Sequence, residues 1–334
     1  MNIGFLGYGS IAHAHARAIA ALRDTAQHGE LRFHGVMGRL PGPTADFARE
    51  YGMPTATTEL DELLADPALD AVLVCSPTDL HAAQAERSLH AGKHVLCEIP
   101  LATSLAETDR LIALADETGR RLMVCHTQRY NPALREARRM IAAGELHPHA
   151  VVSRYLFHRR ANINWLGRHR SWTDNLIWHH GCHAVDAALW LLGAPAEEVV
   201  AELALPGADL AVPMDLTIVM RTARDQLATV AMSYNTHINV HDYLVIGEET
   251  TILFADGQLR DNDRVLVPAT AATDLDAGVA RQDAEFFAAV REGREPAVSG
   301  RAVRPAMAAL QAAQDVLDAR VRALGPDARH PRRP

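Results

Sequence analysis

Nothing in this chain of 334 residues approaches the roughly 20 apolar residues in a row that a membrane-spanning helix needs. The opening residues, MNIGFLGYGS, have neither the basic region nor the cleavage site of a secretory signal, and their apolar character belongs to a first strand. Cysteine is scarce. Cys75, Cys97, Cys125 and Cys182 stand far apart, without the paired spacing of a structural zinc site, and three of them fall in expected buried strands. Such a set suits a reducing cytoplasm. Positive charge is short too: the formal net charge of −8 argues against nonspecific nucleic-acid binding, which takes its affinity from lysine and arginine neutralising phosphates. Neither nucleic acid nor a membrane is expected as a partner. A local cluster of arginines between Arg154 and Arg170 still suits a small anionic ligand.

What is present is enough apolar sequence, 48% of the chain, to build a substantial core, and the length suggests two domains. Asn2 to Leu6 reads as a short buried strand, followed by Gly7-Tyr8-Gly9-Ser10-Ile11-Ala12 and an alanine-rich helix to about Leu22. This is the pattern G-x-G-x-x-A. Gly7 permits a tight turn, Gly9 lets the backbone approach a pyrophosphate, and Ala12 is small enough for close packing of helix on strand; the first helical turn at Ser10 and Ile11 then offers amides to the phosphates. A second strand, Leu31 to Met37, ends in Gly38-Arg39-Leu40. An acidic residue there would bind the ribose hydroxyls of NAD. Arg39 instead suits the 2′-phosphate of NADP, with Thr44 able to add a hydroxyl, so NADP is expected and NAD is the alternative; a solvent-facing arginine is the plainer reading of the same residue.

Further buried strands end in polar clusters: Ala71 to Cys75 in Ser76-Pro77-Thr78 with His81 opening a helix, His94 to Cys97 in Glu98-Ile99-Pro100, and Leu122 to Cys125 in His126-Thr127-Gln128-Arg129. Strands alternating with helices imply a parallel, doubly wound sheet, whose ligands bind beyond the carboxyl ends of its strands. Ser76, Pro77, His81 and Glu98 therefore join Gly7, Gly9, Ser10, Ile11 and Arg39 as expected cofactor-binding residues, with Glu98 lining the nicotinamide site.

The segments GFLGYGSIAHAHARAI, VCSPTDLHAAQAERSLHAGKHVLCEIPLA, HHGCHAVDAALWLLG and FFAAVREGREPAVSG together resemble the glucose-fructose oxidoreductase and inositol dehydrogenase family across nearly the whole chain. That resemblance implies an α/β Rossmann domain followed by an α+β domain with an open, mostly antiparallel sheet, whose face closes the substrate site over the nicotinamide and often supports oligomerisation. The expected boundaries are residues 1–128 for the NADP-binding domain and 129–324 for a substrate and oligomerisation domain whose closing helices, 281–292 and 301–323, return toward the first. Residues 325–334 are expected to be a mobile tail. A homo-oligomer, dimer or tetramer, is expected. The block from HTQRYNPALREARRMIAAGEL through YLFHRRANIN to RSWTDNLIWHH is similar to a narrower group, the 4-carboxy-2-hydroxymuconate-6-semialdehyde dehydrogenases, which use NADP to oxidise a cyclic hemiacetal to 2-pyrone-4,6-dicarboxylate in aromatic degradation.

The family's catalytic histidine maps onto His183, near the start of an amphipathic helix stopped by Gly193. Two other polar positions of the family pattern have changed: its lysine is Ile99 here, and its aspartate is His179. The changes agree if the proton acceptor is imidazole, which a helix dipole helps keep neutral. His183 is the expected general base, with His179 and His180 orienting or binding. His179 and His183 also have the spacing of a zincin helix, but His180 replaces the glutamate that such a site uses and no third ligand is evident, so no metal is expected. Arg129, Arg159, Arg160 and Arg170, with Asn162, Asn164 and Trp172, are more cationic than a neutral sugar requires and suit a substrate with two carboxylates; surface ion pairs are the alternative. Strands expected at Asp215 to Met220, Leu227 to Tyr234 and Tyr243 to Ile246 leave Asn235, His237, Asn239 and His241 either reaching the site or forming a turn. The expected activity is a dehydrogenase acting on a CH–OH group. A sugar or cyclitol dehydrogenase and a catalytically silent NADP-binding regulator are the alternatives.

Overall fold

A computed structural model describes residues 1–23, 30–163, 176–206, 210, 212–270 and 275–324. The chain begins with β1 (Asn2–Leu6), α1 (Ser10–Arg23), β2 (Arg32–Met37), α2 (Pro41–Tyr51), β3 (Thr55–Thr57), α3 (Leu60–Leu64), β4 (Ala71–Val74), α4 (His81–His90), β5 (His94–Cys97), α5 (Leu105–Thr118) and β6 (Leu122–Val124). The six strands form one parallel sheet in the order β3-β2-β1-β4-β5-β6. The chain moves outward from β1 to β3, then starts again at β4 on the other side of β1, so the order reverses there. Strands such as β4, buried at every position, are the continuous apolar runs that a sheet covered on both faces demands. Local signals set the helix ends. Pro41 opens α2, and Gly52, at φ 67°, closes it. Ser104 caps the start of α5, its hydroxyl accepting from the Glu107 amide at 3.2 Å and donating to Glu107 Oε2 at 2.9 Å.

The chain continues through α6 (Pro132–Ala142), β7 (Pro148–His158), a π-helical turn at Leu176–His180, α7 (Gly181–Leu192), β8 (Ala196–Leu203), β9 (Asp215–Thr222), β10 (Leu227–Ser233), β11 (Asn235–Gly247), β12 (Thr251–Ala255), β13 (Gln258–Asp261), β14 (Arg264–Val267), α8 (Leu275–Glu292) and α9 (Gly300–Leu324). An eight-stranded sheet runs β14-β13-β12-β11-β7-β10-β9-β8. It is antiparallel except where β7 and β10 pair in parallel. Its strands alternate between buried and accessible residues, and α6 and α7 cover one face. Gly181 lets α7 come close: an added Cβ would meet Met232 and Leu310 at 3.1 Å.

Two compact units result. The first is residues 1–127 with 275–304; the second is residues 128–274 with 305–334. Residues 275–304 therefore group with the parallel sheet, whereas the sequence assigned them to the later domain as a returning helix. Two local expectations change. Asn235, His237, Asn239 and His241 form no turn but lie within β11, which pairs with β7 despite a shift in register. His183 is the third residue of α7, in the early turn expected for it, but the π turn carries the helical path back through His179, so the helical N-terminus lies further upstream than expected. The expected tail, 325–334, lies outside the described residues. Among the described residues no helix is long and apolar enough to cross a membrane.

Candidate functional site

In the first unit, the turn between β1 and α1 has the geometry that a dinucleotide cradle requires. Gly7 takes φ 110°, its amide donates to the Met37 carbonyl at 2.8 Å, and a Cβ on it would lie 2.6 Å from the Cys75 carbonyl oxygen. Only glycine fits. At Gly9 an added Cβ would meet nothing within 4 Å, so the backbone there is open to close approach. Ser10 and Ile11 form the first turn of α1. Gly38 follows β2 against the Tyr8 ring and the Thr44 hydroxyl, which a side chain would strike, and Arg39 stands exposed immediately after it. Thr44 itself is buried and donates to the Leu40 carbonyl at 2.7 Å, so its hydrogen is already used within α2. These residues fit a nicotinamide dinucleotide, which would supply a hydride acceptor.

At the next strand end, Ser76 donates to Gln84 Oε1 at 2.6 Å beside Pro77. His81 departs from the expected cofactor role. It is buried, with Nδ1 2.8 Å from the Pro100 carbonyl and Nε2 2.9 Å from the Ser76 carbonyl, so it fastens the loops after β4 and β5 to each other. Glu98 meets an unforeseen partner. Its Oε1 is 2.9 Å from His15 Nε2, while His15 Nδ1 is 2.9 Å from both carboxylate oxygens of Asp283 on α8. Burial alone would lower the His15 pKa, but Asp283 and then Glu98 outweigh it and raise it to about 10. The sequence held one signal for this residue: His15 lies midway between Ile11 and Ile19 at helical spacing, on an apolar face. His15, Glu98 and Cys125 also bring three ligand types within 4.8 Å of one another. Both imidazole nitrogens are taken by carboxylates, however, and burial together with Glu98 pushes the Cys125 thiol up, so the group is organised as a hydrogen-bonded ion cluster.

The second unit gathers the histidines. Between Leu176 and Leu189 every residue is buried except His179, His180 and His183, which are partly accessible on an otherwise packed segment. His180 Nδ1 is 2.6 Å from the Tyr234 hydroxyl, and its ring packs among Tyr155, Phe157 and His179 at centroid distances of 5.4, 5.0 and 4.7 Å. Asp186 lies one turn beyond His183 and receives Arg129 Nε at 2.8 Å and Nη2 at 2.6 Å. That fork fixes the roll of α7 and corrects the reading of Arg129 as a receptor for substrate: its bidentate face belongs to Asp186. His241, left out of the expected catalytic set, joins the group from β11. It packs on Tyr155 at 4.5 Å, and burial followed by the proximity of His183 lowers its pKa to about 4. Polar alternation in the stretch before Tyr243 was its only sequence signal.

Of the other arginines, Arg154 pairs with Asp242. Arg159 is buried, donates to Asn162 Oδ1 and the Ile163 carbonyl at 3.2 Å each, and lies 5.6 Å from the centre of the Tyr234 ring. Arg160 donates to the carbonyls of Arg159 and Tyr234 at 2.9 Å. Both therefore converge on Tyr234, the residue that also holds His180. Asn164, Arg170 and Trp172 lie outside the described residues.

Residues 1–126 match the oxidoreductase family with an NAD-binding Rossmann fold, and residues 132–267 match the C-terminal family of bacterial oxidoreductases. A 4-carboxy-2-hydroxymuconate-6-semialdehyde dehydrogenase of Sphingobium sp. strain SYK-6 is 33% identical over 315 residues, 89% of this chain and 92% of the relative. An inositol 2-dehydrogenase of Rhizobium meliloti is 27% identical across 94% of this chain and 96% of its own length. Among solved structures, a levoglucosan dehydrogenase in complex with NADH and L-sorbose superposes with a TM-score of 0.85 at 21% identity, covering 96% of this chain and 97% of that one, a likeness of fold.

Proposed function

Because the chain belongs to the GFO/IDH/MocA oxidoreductase family, we propose that it is an NADP-dependent dehydrogenase that oxidises the cyclic hemiacetal of 4-carboxy-2-hydroxymuconate-6-semialdehyde to 2-pyrone-4,6-dicarboxylate. The observation that carries this reading is the convergence, within the second unit, of His180 and the Arg159–Arg160 pair on Tyr234, next to His179, with His183 close to His241. Guanidiniums beside imidazoles suit an anionic ring that must give up a proton. His183 takes the proton from the hemiacetal hydroxyl, directly or through water, as the C–O bond becomes a carbonyl. A nicotinamide dinucleotide held at Gly7, Gly9, Ser10 and Ile11 would supply the acceptor for the hydride on the same carbon. Arg159 and Arg160 bind the substrate carboxylates, and His179 and His180 orient the ring. Ile99 of the first unit stands where the family pattern has lysine, so the proposed chemistry draws no ammonium acid from that position. Arg39 supports NADP over NAD through the 2′-phosphate.

The test is direct. Purified protein with NADP+ and the semialdehyde should form NADPH and the ultraviolet absorbance of the pyrone together, and NAD+ should be the poorer acceptor. A second reading, oxidation of a neutral sugar or cyclitol, is favoured by how much of the Arg129, Arg159 and Arg160 hydrogen bonding is spent on the chain itself. Turnover of inositol or levoglucosan with none of the semialdehyde would establish that reading instead.

The same proposal takes the protein as a homo-oligomer, dimer or tetramer, of a reducing cytoplasm. Support for the first comes from the open face of the second unit's sheet. Leu253, Leu244, Val152, Thr229, Val219 and Val200 stand side by side across six strands, with Val200 69% exposed. Ion pairs Arg154–Asp242 and Arg221–Glu198 border the row, the apolar centre and polar rim of a self-association surface. Four buried, unoxidised cysteines support the second.

A further inference from the structure

The ion cluster in the first unit joins three separate elements: His15 on α1, Glu98 just beyond β5 and Asp283 on α8. The His15 and Asp283 side chains are 1% and 0% exposed, whereas Glu98 is 14% exposed, so the outer member of the cluster is the one at the ligand-binding end of the sheet. One imidazolium between two ionised carboxylates would give the three groups a net charge of minus one; burial pushes the Asp283 carboxyl up, and the charge on His15 works against that rise. The titratable neighbours add none: burial, with help from these carboxylates, pushes the thiols of Cys75, Cys97 and Cys125 up and keeps them protonated. Glu98 Oε2 also accepts from the Ile99 amide at 3.2 Å, so the carboxylate is held at both oxygens.

We propose that His15 and Asp283 are positioning residues that hold Glu98 ionised and oriented toward the nicotinamide, so that the cluster favours the cationic, oxidised ring over the neutral, reduced one. This rests on the reading of the first unit as a nicotinamide dinucleotide site. The oxidised ring carries a positive charge that hydride transfer removes, so a fixed negative charge nearby acts on one redox form and hardly on the other. The pairing also has a reason to be buried. In a low-dielectric surrounding a lone Glu98 would be driven toward its neutral acid, and His15 prevents that only because Asp283 keeps His15 charged.

The test is equilibrium titration of the full chain with NADP+ and, separately, with NADPH, comparing the unmodified protein with Asp283→Asn and Glu98→Gln. Each substitution removes one negative charge, and each should raise the ratio of the oxidised to the reduced Kd by about three- to ten-fold, with the Kd for NADPH little changed. A merely structural cluster would weaken both forms alike; an unchanged ratio in folded variants overturns the proposal and leaves the cofactor site standing. If neither NADP(H) nor NAD(H) binds the unmodified protein, the nicotinamide reading falls and the proposal with it. Should Asp283→Asn fail to fold, Glu98→Gln at the accessible end carries the same measurement. Imidazole nitrogen shifts of the unmodified protein give a reading free of variants: His15 should be an imidazolium from neutral pH up to about 10. A neutral His15 ring at neutral pH, or a stoichiometric metal lost on Cys125→Ser, overturns it.

Discussion

His15 and His241 are both enclosed by the fold, yet the first keeps its proton to about 10 and the second loses it near about 4. Burial lowers both. Asp283 and Glu98 reverse that at His15, and His183 adds to it at His241. The consequences for stability have opposite signs. His15, raised above its unfolded value near 6.5, contributes stability that is complete below that pH and is lost as pH rises through about 10. His241, depressed from 6.5, must take up a proton on unfolding, so its environment loses stability as pH falls from about 6.5 toward 4. Melting temperature measured across pH should therefore fall on both sides of about pH 6.5, with His15→Gln flattening the alkaline limb and His241→Gln the acid limb. At His183, the proposed general base, the expected effect is kinetic: His183→Ala should lower kcat by about 100-fold or more while NADP+ binding, followed by titration, stays close to that of the unmodified protein. Gly7 and Gly9 were legible in the sequence because a backbone conformation is a local property. His15 was not, because its two partners lie 268 and 83 positions away. Arg129 was misread for the same reason: a guanidinium does not name its carboxylate until the fold brings Asp186 to it.

At the scale of the elements, α7 carries a buried ion pair. Its Asp186 is 1% exposed and its partner Arg129 11%, so the pair is nearly removed from water. Asp186→Ala should cost about 3–5 kcal/mol in urea unfolding, since it strands a buried cation. The double variant Arg129→Met with Asp186→Leu should recover most of that loss, because an apolar pair of similar volume leaves no unpaired charge. The position of α7 was legible from its apolar spacing and its glycine stop. The π turn before it was not: hydrogen bonds that skip one more residue than usual leave no mark on hydrophobic periodicity. The first part of β11 was hidden differently. Its histidines and asparagines alternate on a strand with little apolar content, and only pairing with β7 turns such a segment into sheet.

For the molecule as a whole, the apolar row across the open sheet face predicts the assembly state. Val219→Lys, beside Val200 in the row, should shift the protein to a monomer by light scattering without changing its circular dichroism. A monomeric unmodified protein would remove the basis for the oligomer. Two domains were expected from the length of the chain, and their boundary from the family resemblance. The membership of 275–304 was not, because a helical pattern states that a segment is helix and says nothing about which sheet it covers.

That membership reaches back to how the protein is made. Thr127 and Leu275 are separated by the whole of the second unit's sheet, yet they bound the same unit. During synthesis the parallel sheet is finished early but must wait for α8, which arrives only after every strand of the other sheet has left the ribosome. Until then α1 lacks its covering helix, and His15 faces Glu98 without Asp283. The half that was begun first is thus closed only by residues 275–304, and the residues from 305 onward then close the other. A transplanted dinucleotide module cut at residue 127 would repeat that unfinished stage permanently, whereas one that carries 275–304 on a linker would not.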